Sequence, residues 1–367
     1  MPNTRANSRS TNAVRLEFSS EAASHTNLSG AAFSGSWLWV VGDETSCIDR
    51  LHQLESKDAK VLQFGQARRF ALADLLDLPG DADEEADLEG LAVDNGFLWL
   101  VGSHGLKRKS VKADRSAAEN STRLAKVTLD ANRRLLACVP IEQATDGAPE
   151  LTAKARDGRC ALRLRGDAKS NQLTAALAED PHFGPFMGIP GKDNGFDIEG
   201  LAVNGRRLLL GLRGPVLRGW SALLEIEVEA HHGGLRLVPL DKHGTLLRKH
   251  FLPLDGLGVR DLHFYGDDLY VLAGPTMALD GEIRIYRWAD AKVLLAANRA
   301  AACFEAVLSE ITVLPHGRGT NRAEALCNVP DVVLGTKAPS WLVLYDAPGS
   351  DRLDGDRAVY GDLVRHT

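Results

Sequence analysis

One pattern recurs along the chain: a short apolar run, a polar turn built on Gly, Asn or Asp, and a second apolar run ending at or near Gly. It is written in NLSGAAFSGSWLWVVGDE (27–44), DLEGLAVDNGFLWLVGSH (87–104), DIEGLAVNGRRLLLGLRG (197–214), GVRDLHFYGDDLYVLAGP (258–275) and RAEALCNVPDVVLGT (322–336). Two strand-length runs joined by such a turn read as a β-hairpin. Anchored on Ser29, Glu89, Glu199, Arg260 and Glu324, the repeats start 60, 110, 61 and 64 residues apart. Self-similarity at such a spacing marks a propeller or another repeat array.

Further strands follow the hairpins. RLAKVTLD (123–130), ALLEIEVE (222–229), EIRIYRWAD (282–290) and WLVLYDAP (341–348) read as third strands, two of them with strict alternation and hence one wet face. LLACVPIE (135–142), HFLPL (250–254) and FEAVLSEI (304–311) read as fourth strands, with CIDRLHQLE and KVLQFGQA in those places in the first repeat. Inner strands apolar on both faces and outer strands that alternate are what a propeller blade requires, because neighbouring blades cover the inner strands.

The expected fold is therefore an all-β propeller of four-stranded antiparallel blades, five by count. A sixth blade within 131–190, including CALRLRG, and an open two-sheet sandwich are the alternatives. The 110-residue step holds a partly helical insertion at about 104–190, with NQLTAALA at helical spacing. AVRLEF (13–18) supplies the outer strand that the last repeat lacks and closes the ring without an exposed edge. Residues 1–12 read as a tail, and 13–367 as a single propeller domain with an insertion at about 145–190.

In a propeller, equivalent inner-strand residues form a ring about the axis, here Ser29, Glu89, Glu199, Arg260 and Glu324. Asp87 and Asp197 precede two of the glutamates by two residues and point to the same side of their strands. Carboxylates ~5 Å apart at an effective dielectric of ~20 repel by roughly 3 kcal/mol per pair. Protons, basic partners or a bound cation must offset that. Oxygen-only ligands from Glu89, Glu199, Glu324, Asp87 and Asp197 would suit calcium or magnesium. The plainer reading is that each Glu caps backbone N–H groups or pairs with an arginine, Arg260 and Arg213 being at hand.

SHGLKRK (103–109) and GLRGPVLRGW (211–220) occupy equivalent places in successive repeats and combine His104, Lys107, Arg108, Lys109, Arg213 and Arg218. Cations in a glycine-rich concavity suit phosphate or carboxylate groups, and a histidine there could move protons near neutral pH. A solvated charge run is the alternative for KRKSVKADR.

Several classes are excluded or disfavoured. A net charge of −6 with pI ≈ 6.0 disfavours nucleic-acid binding by phosphate neutralisation. No apolar window approaches the ~18 residues of a membrane span, and MPNTRANSRSTN lacks the apolar run of a secretory signal, so a cytoplasmic location is expected. Cys47, Cys138, Cys160, Cys303 and Cys327 are scattered and odd in number, which fits reduced thiols better than a disulfide frame. There is no G-x-S-x-G elbow, P-loop, H-E-x-x-H or dinucleotide fingerprint.

EGLAV (89–93), GSHGLKRK (102–109), NGFDIEGLAV (194–203) and GLRGPVLRGW (211–220), in this order, resemble the bacterial family known as domain of unknown function 3616. The resemblance runs from about residue 25 to 350 and implies an intracellular β-propeller of no established activity. The E-G-L and E-A-L strand starts are more distantly similar to esterase-like phytase propellers, which implies metal-assisted phosphoester chemistry. Ser29 and Arg260 depart from that pattern at two of the five ring positions.

The functional expectation is a small anionic ligand at one end of the channel, in a metal-assisted phosphoester or ester hydrolase. Glu89, Glu199 and His104 would be the catalytic residues, and Arg213, Lys107, Arg108, Arg218 and Arg260 would bind the anion. The alternative is a non-catalytic propeller that presents its loops to a protein partner.

Overall fold

Five inner strands, Leu28–Ser34, Leu88–Asp94, Asp197–Asn204, Gly258–Tyr265 and Arg322–Asn328, form a closed circle. Each packs against the next, and the last packs back against the first. The computed structural model describes residues 13–19, 24–56, 58, 60–297, 299–305, 307–337 and 339–365. The tail expected at 1–12 lies outside the described residues.

Sheets run outward from this circle. The second strands, Trp37–Gly42, Phe97–Gly102, Arg207–Gly214, Asp268–Gly274 and Ser340–Asp346, pair antiparallel with the inner ones. Cys47–Leu54, Leu136–Gln143, Trp220–His231, Ile283–Trp288 and Ala358–Arg365 come third. Val61–Ala71, Pro149–Leu151, Arg248–Pro253 and Ser309–Leu314 are fourth in the first four repeats. Sheets radiating from a closed circle of inner strands make the molecule a β-propeller.

Closure comes from the N-terminal strand Ala13–Glu17. It pairs antiparallel with Ala358–Arg365 and parallel with Val61–Ala71, which joins the first and last repeats into one nine-stranded sheet. Leu16 at its centre is fully buried.

Packing explains why the inner strands are apolar on both faces. Alternate residues of one strand enter different cores: Leu38 and Val40 pack with Ala325 and Leu342 of the last repeat, Trp39 and Val41 with Leu88 and Leu91 of the second. Similar clusters fill the remaining junctions, around Ile198 and Leu210, Val259 and Val271, and Leu326 and Trp341. The described cysteines are free, and Cys138, Cys303 and Cys327 are buried.

Three expected strands fall elsewhere. Residues 331–336 form a short helix, Asp331–Leu334, after Pro330, so Ser340–Asp346 is the second strand of the last repeat rather than its third. In the second repeat 123–130 begins in the last turn of helix Ala117–Ala125, which opens on a Ser116 and Glu119 capping box, and keeps only the two-residue strand Val127–Thr128, so Leu136–Gln143 is the third strand rather than the fourth. CALRLRG contributes only Leu162–Arg163, paired to Leu136–Gln143, and forms no hairpin of its own. The insertion does carry the expected helix, Gln172–Ala178. No helix among the described residues is long and apolar enough to cross a membrane.

Glycine after the ring residue has a packing reason. A Cβ on Gly90 would lie 2.8 Å from Leu201 Cβ and 3.0 Å from Leu201 N, and one on Gly200 would lie 2.8 Å from Leu262 Cγ. Neighbouring inner strands approach closely here. Gly90→Ala is therefore expected to destabilise the fold by roughly 1–3 kcal/mol, read as a lowered urea midpoint at constant m-value; an unchanged midpoint would show that the strands can separate freely.

Candidate functional site

All five inner strands carry an irregularity at the same place. The ladder shifts register between Leu28 and Gly30, Leu88 and Gly90, Ile198 and Gly200, Val259 and Asp261, and Ala323 and Ala325. The skipped residues are Ser29, Glu89, Glu199, Arg260 and Glu324, the ring inferred from sequence. A bulged residue leaves the ladder and its side chain is re-aimed, so polar groups can sit within strands otherwise packed in apolar cores. All five are buried.

Arginines neutralise one side of the ring. Arg213 Nη1 donates to Glu199 Oε1 at 2.6 Å, and Arg260 Nη1 donates to Glu199 Oε2 at 2.6 Å. Arg260 Nη2 lies 2.8 Å from Glu324 Oε1, which links the third, fourth and fifth repeats. Arg213 Nε also donates to Thr276 O at 2.8 Å. Burial alone would push the Glu199 carboxyl up, but Arg213 and Arg260 hold it below the ordinary range. Arg133 pairs with Asp87, lies 3.3 Å from Glu85, and donates to Gly105 O. Beside Arg260, Asp261 accepts from Leu262 N and Leu326 N at 2.7 Å each, so it is a backbone cap.

The other side of the ring is left acidic. Ser29 Oγ donates to Leu88 O at 2.5 Å. Glu89, 7% exposed, makes no hydrogen bond or ion pair among the described residues, and Asp43 Oδ1 and Asp197 Oδ1 are buried without a hydrogen-bond partner. Burial, with Asp87, Glu199 and Asp43 adding to it, holds Glu89 well above the ordinary carboxyl range. Burial likewise pushes Asp43 up to about 8, with Glu324 and Asp346 adding. It raises Asp197 to about 7 with Glu199 adding, and Glu324 to about 7 although Arg260 opposes.

These groups floor a cavity of ≈ 510 Å³. Asp43, Glu89, Asp197 and Glu324 line it below; Lys107, Arg108, Lys109, Lys112, Arg123 and Lys192 line its rim. Lys107 is held by Glu85 at 2.6 Å and Arg108 by Asp193 at 2.6 Å. Lys109, Lys112, Arg123 and Lys192 form no ion pair among the described residues, so they are the cations open to a ligand. Lys112 and Arg123 come from the excursion between paired Lys107–Arg108 and Val127–Thr128.

Several expected roles need correction. His104 does not line the cavity: its Nδ1 lies 2.8 Å from Gly102 O and its Nε2 3.0 Å from Asn171 Nδ2. Those partners make Nδ1 the donor and Nε2 the acceptor. Burial pulls this histidine down to about 4, so it stays neutral and braces the insertion instead of moving protons. Arg213 lines the cavity and Arg260 does not, and both are bound to Glu199. Arg218 is not among the cavity residues. The carboxylate set Glu89, Glu199, Glu324, Asp87 and Asp197 does not fit a calcium or magnesium site, because no three of these groups bring oxygens within 4.8 Å of one another.

Asp43, Arg133, Lys192, Lys112 and Arg123 were not singled out in the sequence. Only Asp43 carries a signal there, an acid directly after the Gly that closes the first hairpin; the others come from unrepeated segments.

The closed circle of strands and its charged, one-sided axis define a β-propeller with a mixed-charge cavity at one end of the channel. Over residues 27–362 the chain matches the family described as "Protein of unknown function (DUF3616)", and it belongs to that family. No curated protein matches it. Among solved structures, the native arabinanase Arb43A of Bacillus subtilis is 12% identical, with 93% of this chain and 96% of that chain covered and a TM-score of 0.36. An exo-1,5-α-L-arabinanase from a bovine ruminal metagenomic library is 8% identical, with 93% and 94% covered and a TM-score of 0.37. The periplasmic gluconolactonase PpgL of Pseudomonas aeruginosa is 13% identical, with 92% and 88% covered and a TM-score of 0.33.

The raised carboxyls make stability depend on pH. Asp43, Glu89, Asp197 and Glu324 titrate above the ordinary carboxyl value of about 4, so between about pH 4 and 8 the folded chain binds more protons than the unfolded one. Stability therefore falls as pH rises through that window. Glu199 has the opposite sign, and its contribution is lost only below about pH 4. The thermal midpoint of the wild type is expected to drop between about pH 5 and 8, and Asp43→Asn to flatten that slope; equal slopes in the two proteins would contradict the assignment of Asp43.

Proposed function

We propose that the chain is a five-bladed β-propeller hydrolase that binds a small anionic ester, of a phosphoric or carboxylic acid, in the axial cavity. The five-blade count is supported by the five bulged inner strands and the five apolar clusters between them. The observation that carries the functional reading is the unpaired, buried Glu89 beneath a rim of unpaired Lys109, Lys112, Arg123 and Lys192 in one cavity.

The rim binds the anionic group and orients the ester toward the floor. Glu89, whose carboxyl burial holds well above the ordinary range, gives its proton to the leaving oxygen. Asp197, pushed to about 7, takes a proton from the attacking water. Two carboxyls in one cavity can divide the work of general acid and general base in this way. Arg213 and Arg260 are positioning residues that fix Glu199, and their charges oppose the upward shift that burial gives Asp197 and Glu324. In place of the calcium or magnesium expected on sequence, arginines and protons neutralise the ring in this reading.

A screen of p-nitrophenyl phosphate and p-nitrophenyl acetate, in the presence of a chelator and then of Ca²⁺, Mg²⁺ or Mn²⁺, tests the reaction. Glu89→Gln is expected to lower kcat by about 10²–10⁴-fold, and Lys192→Met to raise KM with less effect on kcat. Turnover with unchanged kcat in Glu89→Gln would remove the mechanism. Calorimetric titration with inorganic phosphate tests the rim separately: loss of binding in Lys112→Ala with Arg123→Ala supports it, and unaltered binding refutes it.

A further inference from the structure

A second charged cluster lies far out in the third repeat, independent of the axial cavity. Strand Arg248–Pro253 pairs in parallel with Ala302–Phe304, and the register sets His250 opposite Cys303. Glu305 follows directly, its N–H donating to Phe251 O at 2.9 Å. One ligand atom each from His250, Cys303 and Glu305 lies within 4.8 Å of the other two, and all three residues are buried, His250 completely.

We propose that His250 Nδ1, Cys303 Sγ and a Glu305 carboxylate oxygen form a binding site for a thiophilic divalent transition ion of the zinc type. Imidazole, thiolate and carboxylate are the donors such ions select. Bond lengths of about 2.0–2.3 Å in a tetrahedral site put ligand atoms roughly 3.3–3.7 Å apart, so the observed cluster needs side-chain shifts of only about 1 Å. Three protein ligands also leave a fourth position for water or another small ligand.

The surroundings support the ligand set. His250 Nε2 lies 3.0 Å from Glu225 Oε2 and its Nδ1 3.0 Å from Glu305 Oε1. Both ring nitrogens therefore donate as an imidazolium in the metal-free state. Displacing the Nδ1 proton turns the same ring into a ligand whose Nε2–H remains fixed on Glu225, the carboxylate–histidine–metal arrangement that orients ligands elsewhere. Arg207 and Arg248 face Glu225, and Arg299 faces Glu305, so the carboxylates beside His250 are held in place. An ion network alone accounts for Glu225, His250 and Glu305, but it assigns nothing to Cys303, whose Sγ meets Ala300 O at 3.3 Å.

The test is titration of the full-length, chelator-stripped protein with Co²⁺ alone. One equivalent is expected to bind with a thiolate-to-cobalt charge-transfer band in the near ultraviolet. Cys303→Ser, a small change at a buried site whose fold is checked by near-ultraviolet circular dichroism, is expected to abolish the band. Glu225→Gln is expected to weaken affinity by about 10–100-fold while leaving the band in place. No uptake of cobalt, or a band that persists in Cys303→Ser, overturns the proposal. Glu89→Gln separates this site from the axial cavity: cobalt uptake lost with Glu89→Gln also overturns it.

Discussion

The clamp of Arg213 and Arg260 on Glu199 is the interaction on which the architecture of the axis depends. Five inner strands converge, each with one bulged residue that leaves the ladder. Without basic partners, burying Glu199 and Glu324 together would be prohibitive, since an uncompensated buried charge destabilises by several kcal/mol. Arg260 occupies a ring position itself, so a positive side chain arrives at the axis by the same bulge that delivers the negative ones. Through Glu199 and Glu324 it ties three consecutive repeats together.

That compensation is one-sided, and the asymmetry is what distinguishes a site from a structural lock. The third to fifth repeats are joined by ion pairs. The first and second contribute Ser29, which bonds a backbone carbonyl, and Glu89, which bonds nothing among the described residues. Burial therefore raises the carboxyls of Asp43 and Glu89, and that of Asp197 too, although Arg213 lies 3.9 Å from it. Protons can be exchanged with a bound molecule, whereas a buried arginine pair cannot rearrange without opening the fold. The rim cations sit where an anion approaching these carboxyls must pass.

Much of the fold was legible because its strongest determinant is local. Hairpin composition, the spacing of EGLAV-like starts and the spare strand at 13–17 follow from residues adjacent in sequence, and the structure has them. The phase of the ring was legible for the same reason, although the bulge that produces it was not: a register shift is a property of two strands, and no residue type marks it. RLAKVTLD was read as a full third strand, but its first three residues end helix Ala117–Ala125, which the Ser116 capping box upstream sets, and only Val127–Thr128 is extended in a ladder. His104 was misjudged because its fate depends on Asn171, 67 residues away in the insertion. Lys192, Arg133 and Arg123 come from segments without a repeat, where no comparison of equivalent positions can reveal them.

The contrast between the two charged clusters argues for a division of labour between the axis and the outer part of the sheets. At the axis, carboxyls outnumber their basic partners and open onto a cavity, so their protonation responds to what binds. Around His250 each carboxylate is matched by arginine and imidazolium, and the cluster is closed. A buried, fully matched network adds little net stability over apolar packing, so stability alone does not explain a histidine and a cysteine set opposite each other on paired strands. A bound dication would link Arg248–Pro253 to the short strand Ala302–Phe304, which has no other ladder partner among the described residues. On this argument the proposed outer site would act as a fastener for the edge of the third repeat, separate from the axial cavity.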